Sequence, residues 1–264
     1  MSFLGPVGSI IPVKCASRLT SSGGREVSFA RTLGKQKAFL GRVTAREWDV
    51  DIGLAKPQEL SGLRWLAENV IGPIVWYSPD AVVGNILTPA QADLTPTTHD
   101  GIEGPLVEVE PGVHVKSASP QGDPLALRDP DGALHMAPIP TGRQLTVSAW
   151  MRGNTLSGRQ MVRVIWRNFA GANIGQSDTN FDVSSVFARR HATVTPPSGA
   201  VGFNVMFYAA QVAGPAVTMT DEVTPYSPGR GAHRVVAHGL SDAVIRATET
   251  QQLGSLSFRV TEVG

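Results

Sequence analysis

Short runs of alternating apolar and polar residues fill residues 142–228. In the run 144–153, Leu145 and Val147 alternate with Thr146 and Ser148. A period of two places one set of side chains on a buried sheet face and the other set on the opposite face. Similar runs follow, with turn formers between them; the runs span 161–168, 188–195, 202–209 and 216–224, and the turns 153–154, 171–173, 196–199 and 214–215. Several short strands separated by turns predict a β-sandwich or jelly roll.

The first 84 residues have a different, mixed pattern. Three runs predict strands, at 26–33, 38–44 and 46–53, with a turn at 34–37 after the first. Pro57 opens a predicted helix, because proline suits the first helical turn. Its apolar residues recur at helical spacing on one face; they are Leu60, Leu63, Leu66 and Ala67. The helix ends before Gly72-Pro73, a strand follows at 74–77 and a turn at 78–80, so this segment is α+β.

The last segment, 230–264, predicts three strands at 234–238, 243–248 and 255–263, with a break at Gly239. A three-stranded meander is marginal alone, and the small N-terminal sheet would leave open edges. We therefore expect a mainly β protein with one discontinuous α+β base domain, residues 1–84 plus 230–264, and an inserted jelly-roll β-sandwich at 85–229. Insertions of this kind are tolerated at surface turns.

The order of motifs in the middle of the chain resembles jelly-roll carbohydrate-binding modules. The motifs are Val-Ser-Ala-Trp-Met-Arg-Gly at 147–153, a strand ending in Asn168, Thr-Val-Thr-Pro-Pro-Ser-Gly-Ala at 193–200, Gly-Phe-Asn-Val at 202–205 and Thr-Asp-Glu-Val at 220–223. The resemblance implies a glycan platform, for which the candidate residues are Trp150, Arg152, Asn204 and Tyr208. Such modules often hold a structural calcium at an acidic pair, here Asp221 and Glu222, but matching N-terminal carboxylates are missing and no metal is predicted.

The two ends of the chain resemble minor tail proteins of siphophages that infect actinobacteria. The matching motifs are Arg-Glu-Trp at 46–48, the Leu60/Leu63 helix face, Gly-Pro at 72–73 leading to Trp-Tyr-Ser-Pro at 76–79, Tyr-Ser-Pro-Gly at 226–229 and the ending 253–264. The resemblance implies a structural component of the phage tail or tail tip. It would dock on other tail proteins and project the sandwich, with host-surface glycan attachment as a further role.

This hypothesis carries expectations about partners and location. The expected partners are copies of the chain in a three- or six-fold assembly, other tail proteins and host cell-wall polysaccharide. The candidate interface residues are Phe3, Leu4, Trp65 and Trp76. For both tryptophans, core or interface packing is favoured over the alternative role of a ligand platform. The expected location is the virion, assembled in the host cytoplasm, because residues 1–12 lack the features of a signal peptide. The alternative is a cellular or secreted carbohydrate-binding protein without a virion role.

Composition and short motifs argue against several classes of function. The net charge is +1 and the pI about 8.0, so no nucleic-acid binding is predicted. No apolar run approaches the length of a bilayer span, so no membrane insertion is predicted. The single Cys15 excludes an internal disulfide and indicates a packed small residue. The acids in Asp-Pro-Asp-Gly at 129–132 suit a tight turn better than a calcium loop. The six histidines lack metal-ligand spacing, and no nucleophile elbow or phosphate loop occurs. We therefore predict no enzyme activity and no cofactor.

Overall fold

The computed structural model describes residues 1–6, 10–13, 16–31, 37–69, 74–122, 124–128, 136–140, 142–153, 159–247 and 252–263. Some features named above lie wholly or partly outside these residues: Cys15, the turns at 34–37, 129–132 and 153–154, Gly72-Pro73, the predicted strands 26–33 and 243–248, and the ending 253–264. The described chain is mostly antiparallel β-sheet, which confirms the mainly β fold class.

In chain order the elements are β1 (Ser2–Gly5), β2 (Ile11–Val13), β3 (Ala16–Arg31), β4 (Lys37–Ala55), α1 (Pro57–Asn69), β5 (Ile74–Tyr77), α2 (Pro79–Gly84), α3 (Pro89–Ala92), β6 (Gly101–Glu110), β7 (Val113–Pro120), β8 (Leu125–Ala126), β9 (Ala137–Pro138), β10 (Leu145–Arg152), β11 (Gln160–Arg167), β12 (Asn173–Phe181), β13 (Ala188–Val194), β14 (Gly202–Tyr208), β15 (Gln211–Thr218), β16 (Ala232–Ala247) and β17 (Gln252–Glu262). They divide between two compact units. Unit 1 contains Met1–Pro12 and Val75–His233, and unit 2 contains Val13–Ile74 and Arg234–Gly264.

Unit 2 is an antiparallel sheet in the order β16–β17–β4–β3, with α1 packed against β17. Strand β17 pairs with β4 from Gly254↔Ala55 to Thr261↔Glu47, so distant parts of the chain form one sheet. Arg46 also makes a two-point ion pair with Glu262, each contact at 2.8 Å. The apolar faces are buried as the periodicity predicts; they comprise Trp48, Val50 and Ile52 on β4 and Leu60, Leu63 and Leu66 on α1.

Several strands of unit 2 are longer than their sequence pattern predicts. The runs 38–44 and 46–53 belong to the single strand β4. The predicted break at Gly239 is a bulge within β16, where the register with β17 shifts between His238 and Ser241. Gly239 has φ +66°, a conformation that glycine adopts without steric cost.

The unit boundaries differ from the predicted base domain of 1–84 plus 230–264. Residues 1–12, 75–84 and 230–233 cluster with the sandwich in unit 1. The physical reason is strand and helix packing: β1 pairs with β5 through Phe3↔Tyr77 and Leu4↔Trp76, and α2 contacts β15.

Unit 1 is a β-sandwich of two five-stranded sheets. Sheet one has the order β13–β10–β15–β7–β6, and sheet two has the order β12–β11–β14–β8, with β9 also pairing with β14. Their facing residues form the main core, to which β10 contributes Val147 and Met151 and sheet two contributes Val164, Trp166 and Phe207. This is the alternation that the sequence predicts for β10, β11 and β14.

Two local predictions in unit 1 are wrong. Gly214-Pro215 is not a turn but lies inside β15, where the pairing with β10 shifts between Ser148↔Ala216 and Trp150↔Ala213. A bulge tolerates a proline, which cannot donate a ladder hydrogen bond. The predicted turn at 78–80 begins α2, because the Ser78 side chain accepts a hydrogen bond from the Ala81 N–H. Thr88 caps α3 similarly, because its side chain accepts a hydrogen bond from the Gln91 N–H.

Candidate functional site

The outer surface of sheet two carries a cluster of polar and charged side chains. Val162, Val164 and Trp166 of β11 point into the core, so the alternate residues Arg163 and Arg167 lie on the outer surface. We call this surface the arginine face; its residues are Arg159, Arg163, Arg167, Gln176, Asp178, Asn204, Met206 and Tyr208. Their neighbours are set by the pairing of β11 with β12 and β14.

At the centre of the arginine face, Arg163 pairs with Asp178 directly across the β11–β12 ladder. Arg163 Nε donates to Asp178 Oδ1 at 2.8 Å, and Nη2 donates to Oδ2 at 2.7 Å. Gln176 Nε2 adds a third hydrogen bond to Asp178 Oδ2 at 3.1 Å. The hydrogen bonds from Arg163 lower the pKa of Asp178 below its usual value. The carboxylate is therefore ionised and accepts three hydrogen bonds.

Tyr208 supports the arginines instead of offering a ring to a sugar. Its hydroxyl accepts a hydrogen bond from Arg163 Nη1 at 2.9 Å. The guanidinium groups of Arg159 and Arg163 lie 4.7 and 5.2 Å from the Tyr208 ring centroid. Since Tyr208 is only 5% exposed, the prediction that its ring stacks on a pyranose is wrong. The ring orients cations through its π face.

Arg167 lies at the end of β11 and is held by two acceptors. Its Nε donates to Asn204 Oδ1 at 2.8 Å, and its Nη1 donates to the Gly171 carbonyl at 3.3 Å. Gly171 has φ +75° in the turn between β11 and β12, so the predicted turn positions this carbonyl. Asn204 is 1% exposed, and its Nδ2 has no hydrogen-bond acceptor among the described residues. Asn204 is thus a buried anchor, not the surface contact that was predicted.

Trp150 and Arg152 lie on sheet one, so the structure does not bring the four predicted platform residues together. Trp150 is 1% exposed, which contradicts its predicted role as an exposed ring. Tyr226 packs edge-on at 5.2 Å, and the Arg189 guanidinium lies 5.1 Å from the ring. Arg189 also donates to the Thr224 carbonyl at 2.6 Å. The segment that follows β15 therefore covers this face. Burial raises the pKa of Tyr226 to about 12.

Arg152 is exposed at the end of β10. Its guanidinium lies 4.8 Å from the Phe187 ring centroid and donates to Gln211. It has no link to the arginine face, because β10 belongs to the other sheet.

Of the four predicted interface residues, three are buried and one is exposed. Phe3, Leu4 and Trp76 are buried at 2%, 1% and 0% exposure, because β1 and β5 pair with each other. They are not available to a partner on the surface. Trp65, in contrast, is 54% exposed on α1, opposite the buried leucine face. Of the four, Trp65 alone remains a candidate contact.

Unit 2 contains an open cavity of about 490 Å³ that the sequence did not suggest. A row of paired residues crosses its wall, from Thr20 through Asp49 and Arg259 to His238. Arg259 Nε donates to Asp49 Oδ1 at 2.7 Å, and His238 Nε2 lies 2.9 Å from Thr261 Oγ1. Asp51 also lines the cavity, so its lining contains two carboxylates and one arginine.

Neither a metal centre nor a membrane span is found in the part of the chain that the structure describes. No three His, Cys, Asp or Glu residues there are grouped so that they could share an ion, and Asp221 and Glu222 are both exposed. None of the described helices has the length and apolar character needed to cross a bilayer.

Sequence reasoning missed Arg163, Arg167 and Asp178. A signal for the two arginines was present: with Arg159 they recur every four residues, which places them on one side of a strand. Asp178 could not be found in this way, because β12 is mostly polar and its register with β11 is a tertiary property.

Comparison with known proteins gives no close relative. The sequence matches no protein-family model, and no curated protein matches it. Among solved structures, the chain is similar to the enzymatically active domain of tailspike protein 4 of bacteriophage CBA120, at 8% identity and a TM-score of 0.28, over 76% of this chain and 19% of that chain. It is also similar to the Dit protein of phage SPP1, described as a paradigm of the hub adsorption apparatus of phages that infect Gram-positive bacteria, at 9% identity and a TM-score of 0.22 over the whole of both chains. A third is VP2 of infectious bursal disease virus as a subviral particle, at 10% identity and a TM-score of 0.23, over 99% of this chain and 71% of that chain. At these values the similarities define neither a family nor a fold for this chain.

Proposed function

We propose that the protein is a structural component of a phage tail that docks on other tail proteins and attaches the particle to glycan on the host surface. The proposal starts from the resemblance of the two chain ends to actinobacteriophage minor tail proteins. In this proposal the chain catalyses no reaction and needs no cofactor or metal.

The observation that best supports a docking role is which segments of the chain form unit 2. Its sheet and helix come from both ends of the chain, and the sandwich lies between those ends in sequence. In the proposal, unit 2 is the part that contacts tail neighbours and other copies, in a three- or six-fold assembly. The exposed Trp65 on α1 is its candidate contact, since large exposed aromatic side chains are common anchors of interfaces.

The glycan role is supported by the arginine face. Carbohydrates are bound through a few well-placed polar groups that fix orientation. Arg163 and Arg167 provide such groups, and Tyr208 and Asn204 hold them in fixed positions. Many copies on one particle would convert weak single-site binding into useful avidity.

Two measurements test the proposal with the full-length chain. Immunogold labelling of phage particles from a culture that expresses the chain should place gold at the tail; label found only on cells or in the medium would favour the alternative of a cellular or secreted carbohydrate-binding protein. For docking, Trp65→Ala should reduce incorporation into particles without unfolding the chain. Trp65→Phe is the matched control and should incorporate nearly normally; equal incorporation of both variants with wild type would exclude Trp65 as a contact.

A further inference from the structure

We infer that the exposed ring of Phe169, in the turn between β11 and β12, stacks on a pyranose ring of a glycan, and that Arg167 hydrogen-bonds the hydroxyl groups of the same sugar. The inference rests on the proposed function, because it names the sugar class and the contact residues of the glycan role. It depends on three properties of the turn: the exposure of the ring, the fixed backbone that carries it and the polar groups beside it.

The first property is the exposure of an aromatic ring. Phe169 is 75% exposed, more than any other large apolar side chain among the described residues, and within the described part of unit 1 it is the one exposed aromatic ring. The next three residues of the turn are Ala170, Gly171 and Ala172, which are too small to cover the ring. A ligand that covers it gains the free energy of burying apolar surface.

The second property is the fixed backbone of the turn. Asn168 N donates to the Ala172 carbonyl at 3.0 Å, and Gly171 N donates to the Asn168 carbonyl at 2.9 Å. Ala172 N also donates to Asn168 Oδ1 at 2.9 Å. These three bonds enclose Phe169, so the position of its Cα is set before a ligand arrives. Only the rotation of one side chain is then lost on binding, which keeps the entropic cost small.

The third property is a set of hydrogen-bonding groups beside the ring. The Arg167 guanidinium reaches this turn, because its Nη1 donates to the Gly171 carbonyl, while Asn204 holds its Nε. Its Nη2 has no acceptor among the described residues. Asn168 and Asn173 use their Oδ1 atoms to accept backbone N–H groups, and these bonds leave the Nδ2 atom of each side chain unused. The ring is therefore bordered by donors whose positions are already fixed.

A pyranose matches this combination of groups. Such a sugar presents C–H groups on one face and hydroxyl groups around its rim, so an aromatic ring covers the face while side-chain donors bind the rim. A protein partner fits less well, because protein interfaces need a contiguous apolar patch of several hundred Å². In this hairpin end only Ile174 adds a second exposed large apolar side chain.

The site continues along sheet two. Arg163 lies four residues before Arg167 on the same side of β11, a distance of roughly 13 Å along the strand. An oligosaccharide that stacks on Phe169 can therefore extend past Arg167 over the arginine face. A glycan of several sugars should bind more tightly than one sugar, because it contacts both ends of this path.

The test follows backbone amide signals by NMR while the full-length, ¹⁵N-labelled chain is titrated with a β-1,4-linked glucose hexamer, a β-1,4-linked galactose hexamer or sorbitol. At least one hexamer should shift the Gly171 signal in a saturable manner. Sorbitol has hydroxyl groups but no ring and should not shift it. Gly112 is the matched control signal, since it also has a positive φ in a hairpin turn, between β6 and β7; its signal should stay in place.

Variants then test the ring itself. Phe169→Ala should weaken hexamer binding about tenfold. Phe169→Leu keeps an apolar side chain without a flat ring and should also weaken binding, whereas Phe169→Trp should bind at least as tightly as wild type. Leu106→Ala removes another exposed apolar side chain, 62% exposed on sheet one, and should change binding less than about twofold. The urea midpoint of each variant must match wild type.

The outcomes separate the inference from the proposed function. If neither hexamer shifts Gly171, or if Phe169→Ala or Phe169→Leu binds as tightly as wild type, the inference is overturned, while binding of the chain to host cell walls would still support the glycan role. If Phe169→Ala keeps its sugar binding but is incorporated less into phage particles, Phe169 is a protein contact and the inference is wrong. If the chain binds neither hexamers nor cell walls, the glycan role itself fails, whereas the tail location is tested independently by immunogold labelling.

Discussion

Asn85 offers a quantitative test of how unit 1 is held together. Its side chain is fully buried and joins three segments. Nδ2 donates to the carbonyls of Pro215 at 3.1 Å and Ser227 at 3.2 Å. Oδ1 accepts from the backbone N–H groups of Leu87 at 3.1 Å and Val217 at 3.0 Å. Asn85 therefore links the bulge in β15 to the segment that covers sheet one.

Asn85→Ala would leave two buried N–H groups, one buried carbonyl and one partly buried carbonyl without these partners. At a net value of about 1 kcal/mol for each hydrogen bond, the free energy of unfolding should fall by about 4 kcal/mol. That is a large part of the roughly 5–15 kcal/mol typical of a folded protein. With an m-value of about 2 kcal/mol/M, the urea midpoint should fall by about 2 M.

The assay is urea unfolding followed by tryptophan fluorescence and far-UV circular dichroism. Asn180→Ala, an exposed asparagine on β12, is the matched control and should change stability by less than about 0.5 kcal/mol. Asn85→Asp keeps the shape of the side chain but places a carboxylate oxygen next to two carbonyl oxygens, which repel it. This variant should be more destabilised at pH 7 than at pH 4, because protonation of the carboxylate at low pH restores a hydrogen-bond donor. Equal stability of Asn85→Ala and Asn180→Ala would refute the reasoning.

Three further predictions concern other parts of the fold. Trp150→Ala should cost about 3–5 kcal/mol in urea unfolding because the ring is buried, whereas Trp65→Ala should cost less than about 0.5 kcal/mol; similar costs would contradict the assigned burial. The buried His99 ring accepts from the Gly101 N–H and donates to the Leu94 carbonyl, and burial lowers its pKa. Since the His99 ring takes up a proton readily only in the unfolded chain, the free energy of unfolding should fall as the pH drops through 6.5. In His99→Gln, the urea midpoint should depend less on pH between pH 7.5 and 5.5. The same pH dependence in the variant and in wild type would argue against a neutral ring. Gly171→Ala should cost about 1 kcal/mol in the same assay, because its positive φ strains any side chain; no cost would contradict the turn geometry.

Local periodicity predicted the strands of the sandwich well. The alternation around Val147 and Val164 is a property of the sequence itself, and the side chains predicted to lie inside do lie inside. Periodicity does not tell which outer face is covered. Trp150 alternates correctly with Val147 and Ala149, yet it is buried, because a segment about seventy-five residues later in the chain, containing Tyr226, crosses it. A partial signal existed, since Val107 and Val113 form an apolar surface on the neighbouring hairpin and pack against the same cluster.

The candidate site was less predictable than the fold. Asn204 and Tyr208 were assigned to the correct strand but as surface contacts, whereas both are buried supports for arginines. The pairing of Arg163 with Asp178 depends on the register of β11 and β12, and the polar sequence of β12 provides no hydrophobic alternation from which to infer that register. The four-residue spacing of the arginines is visible in the sequence. The sequence does not show which outer face of the sandwich is exposed to solvent, so it does not show that these arginines form a surface cluster.

The methionines provide the most direct test of where the ligand binds. Met206 pairs with Arg163 and lies partly exposed on the arginine face, whereas Met151 lies in the core and contributes nothing to either outer surface. In a methyl NMR titration of the full-length, methionine-labelled chain with host cell-wall polysaccharide, the Met206 signal should shift in a saturable manner while that of Met151 stays in place. Saturable binding with no change at Met206 would contradict the assignment of the site to sheet two.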